Sequence, residues 1–291
     1  MKKVIIILAA ALLVACNPTA KLPALMSDAD AAFEQSDYSK AHTMYAEYIS
    51  IANANNVKVS DELYLKQAQS CAQLDKLDEA TGIYDQLLEN DANIKLIAEY
   101  AQMLQSNSKF DEEIALWTKH ADRIEGSKLV RLKTERLVFL NASKENHEAV
   151  IESYNSKGDI DVSKEAQLQY IKALEATDKG AAASKACNTL LKVNPDYTEA
   201  LEWKAIYYFN KAEKRYKYEM AKYNKNKTAA AYAYLRRDLK KVSADFRIAR
   251  DGFLKLREID PTNKTYIKYL KNTYIRLDQK DKAAQLDKLL K

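Results

Sequence analysis

Five glycines and four prolines in 291 residues leave this chain few breaks. These are the residues that stop helices and shape turns, and their scarcity beside plentiful Ala, Leu, Lys, Glu and Tyr predicts an all-α protein. Histidine and cysteine are as rare, at three each. His42, His120 and His147 stand on the second helices of predicted helix pairs, and none lies at metal-ligand spacing from Cys, Asp or another His. No HExxH, CxxC, P-loop, GxGxxG or GxSxG motif occurs. "SKGDIDVS", residues 156–163, lacks the third acidic position and the closing Glu of a calcium loop and reads as a link between helices. The expectation is a protein without catalytic residues, metal or cofactor. Beyond the N-terminus no apolar run is long enough to cross a bilayer.

The N-terminus is a different matter. Lys2 and Lys3 precede an apolar run from Val4 to Val14, too short for a spanning helix and suited to a secretory signal. Leu13-Val14-Ala15-Cys16 resembles the bacterial lipobox, Leu-x-Ala/Gly-Cys, read by lipoprotein signal peptidase. The resemblance implies that residues 1–15 are removed, that Cys16 becomes the lipidated first residue, and that residues 16–27 form a tether. A diacylglycerol, joined in many bacteria by a third acyl chain, anchors stably where one chain holds only marginally. Asn17 is not the Asp that retains some lipoproteins at the inner membrane. The expected address is therefore the bacterial cell envelope, lipid-anchored at the outer membrane and facing the periplasm. Such an address removes nucleic acid as a partner.

From about residue 28 the chain repeats itself. "DYSKAHTMYAEY", residues 37–48, and "KLDEATGIYDQL", residues 76–87, share an aromatic or Leu, two residues, Ala, three residues and an aromatic. "KFDEEIALWTKH", residues 109–120, keeps the pattern with Glu113 in place of Ala. The anchors fall at 41, 80, 113, 149, 183, 249 and 283. Ala29, Ala68 and Ala101 each precede an anchor by twelve residues, and Pro195 and Pro261 each follow one by twelve. Small residues let paired helices approach, and Pro ends the second helix. This period and pattern resemble the tetratricopeptide repeat. The resemblance implies a right-handed α-solenoid of about seven helix pairs over residues 28–291, each burying its apolar face on the next. Cys71 and Cys187 fall on core positions and read as small buried hydrophobes.

One gap is twice the others: 66 residues separate Ala183 and Ala249. The predicted cause is that both helices of the sixth repeat are lengthened by about 16 residues into a helical hairpin, residues 211–243, projecting roughly 24 Å at ~1.5 Å per residue. Thr228 would cap the second helix. Tyr208, Ala212, Tyr216, Met220 and Tyr223 would zip against Ala231, Leu235, Leu239, Val242 and Phe246. From Lys211 to Lys241 there are eleven Lys or Arg against Glu213, Glu219 and Asp238, so 11 − 3 = +8. The chain without residues 1–15 carries 44 − 41 = +3, which leaves the body near −5. Two readings stand. The arm docks to an anionic surface, an acidic protein or lipid headgroups, through Lys217, Lys222, Lys225, Lys227, Arg236 and Arg237. Or it is an amphipathic hairpin with solvated lysines, its tyrosines serving the internal seam.

Tetratricopeptide repeats often meet ligands on the first helix of a pair. Carried over by position, the groove would comprise Glu199, Glu202, Trp203, Ile206, Phe209 and Asn210 with Lys268, Tyr269, Asn272 and Arg276. Trp and Tyr are favoured interface anchors; alternatively, Trp203 and Phe209 pack against the neighbouring repeat. Lys268 and Asn272 match half of a carboxylate clamp whose other half this chain lacks. The leading function is a lipid-anchored extracytoplasmic scaffold that binds protein or peptide partners in a cell-envelope complex. The alternative is a lipoprotein that captures glycan or peptide for an outer-membrane uptake system.

Overall fold

The structure is a computed structural model and describes residues 18–90 and 94–290. The signal region, Cys16 and its lipidation lie outside the described residues. Fifteen α-helices follow a short 3-10 turn, and no strand occurs among the described residues. The chain divides into two units, residues 1–130 and 131–291.

The first unit holds α1 (Leu22–Glu34), α2 (Tyr38–Ala54), α3 (Asp61–Gln73), α4 (Leu77–Asn90), α5 (Ile94–Ser106), α6 (Phe110–Lys119) and the single turn α7 (Ala121–Ile124). The second holds nearly all of α8 (Leu129–Ser143), then α9 (His147–Asn155), α10 (Lys164–Ala176), α11 (Gly180–Val193), α12 (Thr198–Lys225), α13 (Ala229–Ile259), α14 (Lys264–Arg276) and α15 (Lys280–Leu290). Within each unit, consecutive helices pack side by side. This is the solenoid build, with seven pairs among the described residues and α7 as an extra turn.

One backbone device makes six of the pairs. Ser36, Asp75, Ser108, Glu145, Asp178 and Asp278 each take a left-handed conformation, with φ between 55° and 60°. Each lies just past the first helix of a pair, and the next amide donates back to a carbonyl five residues earlier, as in Lys76 N to Cys71 O at 2.9 Å and Lys179 N to Leu174 O at 2.8 Å. Such a bond closes a helix end and turns the chain. The exception is the sixth pair, where α12 runs straight on.

The anchor stands five residues beyond each left-handed residue: Ala41, Ala80, Glu113, Val150, Ala183 and Ala283 are all buried. This corrects the fourth repeat. Its anchor is Val150, fully buried, and not Ala149, which is half-buried. In the third repeat Glu113 is buried because the Trp117 indole N–H, one turn on, donates to its Oε1 at 3.1 Å. Cys71 and Cys187 are buried and free, as expected of core positions.

Candidate functional site

The arm forms where the sequence places it. α12 has 28 residues where α10 and α14 have 13, and α13 has 31 where α11 has 14, a surplus of 15 and 17. α12 ends at Lys225, and Thr228 caps α13 by accepting from Ala231 N at 3.1 Å. Pro195 and Pro261 stand just outside the ends of α11 and α13. At the root of the arm, Ala205 and Gly252 bring the helices together.

The expected stripe holds at Ala212, Tyr216, Leu239, Val242 and Phe246, which pack together, and three features add to it. Tyr208 reaches sideways to α11, where its hydroxyl meets Ser184 Oγ at 2.7 Å. Tyr216 lies under the Arg276 guanidinium, 4.4 Å from its centroid, and Arg276 Nη2 also holds Glu213 Oε2 at 3.0 Å, so α14 clasps the side of α12. Further out, two acids occupy the seam that the apolar pattern did not include. Glu219 and Asp238 are buried, at 9% and 7% exposure. Buried carboxylates need partners. Arg215 supplies one to both, at 3.9 Å from Glu219 and 4.0 Å from Asp238. Arg237 grips Asp238 with two N–H groups, at 3.3 and 3.2 Å, and this contact holds the Asp238 carboxyl below its ordinary value.

Arg237 is thus tied to its own helix, while Lys217, Lys222, Lys225, Lys227 and Arg236 are exposed. Between them stand three exposed tyrosines: Tyr218 at 65%, Tyr232 at 51%, whose ring meets Tyr223 across the hairpin with centroids 6.0 Å apart, and Tyr234 at 58%, beneath the Arg237 guanidinium at 5.2 Å. The expected stripe named Tyr208, Tyr216 and Tyr223 and left these three out. Only the turn geometry of the helices separates seam rings from outward ones. An exposed basic, aromatic hairpin is chemically suited to an anionic surface that also accepts rings.

The groove residues are not one surface. Trp203 is buried, stacks on Tyr207 with centroids 5.0 Å apart, and donates its indole N–H to Glu175 Oε2 on α10 at 2.6 Å. Phe209 packs edge-on to Phe246 and Tyr269, and Tyr269 stacks on Phe253 at 5.0 Å. Glu202 receives the Tyr266 hydroxyl at 3.5 Å. Ile206 and Asn272 are half-buried, while Glu199, Asn210 and Lys268 are exposed. The large rings therefore join one repeat to the next, and a polar fringe remains for solvent. Nearby, a cleft of about 260 Å³ lies between α9, α10 and α11, with Tyr154 stacked on Tyr170 at 4.0 Å along its wall.

Among the described residues no helix is long and apolar enough to cross a membrane. No family model and no curated protein sequence matches the chain. Solved structures do resemble it. A TPR repeats protein from Bacteroides fragilis is 16% identical, with a TM-score of 0.42 over 87% of this chain and 98% of that one. The C-terminal part of a TPR repeat-containing protein from Cytophaga hutchinsonii is also 16% identical, at 0.45 over 84% and 98%. A tetratricopeptide repeat protein from Parabacteroides merdae is 15% identical, at 0.43 over 87% and 99%. At such scores the fold rests on the helix pairs described above and not on these neighbours.

Proposed function

We propose that this chain is a lipid-anchored scaffold of the bacterial cell envelope, held at the outer membrane through Cys16, and that it assembles protein partners without catalysis. The α12–α13 arm is its docking element. One observation carries the reading: the arm is zipped internally by its own apolar and Arg-carboxylate contacts, yet still presents Tyr218, Tyr232 and Tyr234 among unpaired basic side chains. A hairpin that served only as a spacer would bury its rings or do without them. Exposed aromatic residues are enriched at protein interfaces, and a basic field steers an acidic partner toward them.

The groove contributes less than its aromatic composition suggests, because Trp203 and Tyr269 are engaged in repeat packing. Its exposed fringe, Glu199, Asn210 and Lys268, offers polar contacts beside the root of the arm.

The test is co-purification. The lipidated protein is drawn from detergent-solubilised membranes beside a version with residues 212–243 replaced by a short turn. Envelope proteins that accompany the first and not the second support the scaffold. Identical partners would make the arm structural. No protein partner with either version would favour ligand capture. Replacing Cys16 with Ala should move the protein from the membrane to the soluble fraction; membrane retention would remove the lipid anchor.

A further inference from the structure

In the first unit, three helices from two successive repeats converge on a cluster that the scaffold reading does not use. His42 of α2, Cys71 of α3 and Glu79 of α4 each place one potential ligand atom within 4.8 Å of the others. His42 Nδ1 and Cys71 Sγ are 3.4 Å apart. In a tetrahedral zinc site, with Zn–N near 2.0 Å and Zn–S near 2.3 Å, the N···S edge is about 3.5 Å. Zinc is bound by this set of ligand types: imidazole, thiolate and carboxylate.

A second observation points to the same spot. Gln67 is only 3% exposed, and its side-chain nitrogen lies 2.8 Å from His42 Nδ1. Its Oε1 is buried without a partner. His42 Nδ1 thus has the Gln67 amide nitrogen and the Cys71 sulfur beside it, and Nε2 has the Lys76 ammonium, which can only donate, 2.6 Å away. A neutral imidazole has one N–H and one lone pair, so one side is mismatched. A cation at Nδ1 takes up the lone pair there and leaves the proton on Nε2, so the Lys76 ammonium must swing away from the ring. Turning the Gln67 amide over, which exchanges its nearly equivalent O and N, directs its orphan oxygen toward the same centre.

We propose that His42, Cys71 and Glu79 form a binding site for a zinc-class divalent cation, with the Gln67 amide supporting it and a fourth position open to water on the exposed Glu79 side. The charges balance: a thiolate and a carboxylate match a divalent ion. Lys76 lies 3.9 Å from Glu79, is half-exposed on a flexible stem, and gives up its place to the stronger cation. A cysteine thiol is ordinarily protonated near neutral pH. Binding exchanges that proton for the metal, Cys–SH + M²⁺ → Cys–S–M⁺ + H⁺. The site staples the first repeat to the second. It is independent of the arm, and either can fail without the other.

The test uses the full chain with Cys16→Ala, which leaves Cys71 and Cys187 as its two thiols, kept reduced. Zn²⁺ is titrated against a chromophoric chelator, and Co²⁺ serves as the spectroscopic probe. The expected result is one equivalent bound, one proton released, and a thiolate-to-cobalt charge-transfer band in the near ultraviolet. Cys71→Ser and His42→Gln should lose the band, Glu79→Gln should weaken binding, and Cys187→Ala should leave both unchanged. His42 and Glu79 reach solvent, so their variants test the site even where the Cys71 variant folds poorly. No stoichiometric Zn²⁺ binding, or a cobalt band that survives His42→Gln and Glu79→Gln, would overturn the proposal.

Discussion

Gly252 on α13 lies so close to Ala205 on α12 that a Cβ at 252 would stand 2.9 Å from the Ala205 Cβ. The long hairpin is rooted there. Gly to Ala inside a helix ordinarily stabilises by about 1 kcal/mol. Here it forces two helices apart, and overpacking a close contact costs about 1–3 kcal/mol. Gly252→Ala should therefore destabilise, and adding Ala205→Gly should restore part of the loss. Gly82, in α4, has nothing within 4 Å of its would-be Cβ. Gly82→Ala should stabilise by about 0.5–1 kcal/mol. Urea unfolding of the three variants checks the sign at each site.

The Glu113–Trp117 contact yields a second prediction. Restoring the repeat's usual residue with Glu113→Ala looks conservative by sequence. It removes the acceptor of a buried indole N–H and opens space, so a loss of about 1–3 kcal/mol is expected. Glu113→Gln keeps an oxygen in reach and should lose less. Equal losses in the two variants would remove the hydrogen bond as the cause.

Stability should be flat near neutral pH and fall on both sides. Burial, followed by the Arg123 charge, lowers His120 below its ordinary 6.5. Its folded form stays neutral while the unfolded chain takes a proton, so stability is full above 6.5 and declines as pH falls through that value. Asp30 is raised by burial, but the Tyr45 hydroxyl at 2.7 Å and Lys66 at 3.0 Å outweigh this and hold it below its ordinary 3.8. Its contribution is present above 3.8 and is lost as pH falls through the lower folded value. Lys66 is raised above 10.5, chiefly by its hydrogen bond to Asp30, so its contribution is lost only as pH rises beyond that. Thermal unfolding against pH should show the His120 slope vanish in His120→Gln and the acid slope shrink in Asp30→Asn.

The fold was legible in the sequence because its signals are periodic. Alanine anchors, Tyr45 and Tyr84 four residues after theirs, and Pro195 and Pro261 past their helices all report on backbone packing, and packing repeats. What the period could not show was irregular. The left-handed turn residues are Ser, Asp and Glu where glycine would have marked them, so the turns, and with them the Val150 anchor, were hidden. In the arm, Glu219 and Asp238 broke an apolar stripe: Arg215 stands four residues before Glu219, a legible helical ion pair, but its reach across to Asp238 on the other helix follows from no spacing rule. Trp203 looked like a groove anchor because position in a repeat does not reveal that Glu175 holds its indole. His42, Cys71 and Glu79 are scattered in sequence. In the repeat register, however, His42 follows the Ala41 anchor, Glu79 precedes the Ala80 anchor, and Cys71 stands on the helix between them. That register was the available signal.

The central claim is that the arm docks through its exposed basic residues. The measurement is partner capture from solubilised membranes by a variant with Lys217, Lys222, Lys225, Lys227 and Arg236 reversed to Glu. Arg237 is kept, because it holds Asp238 in the seam. Circular dichroism confirms equal helicity. Loss of envelope partners from the variant, with wild-type capture weakening as salt rises, is the predicted result. Capture that is unchanged by reversal and indifferent to salt would contradict the account and return the arm to a purely structural role.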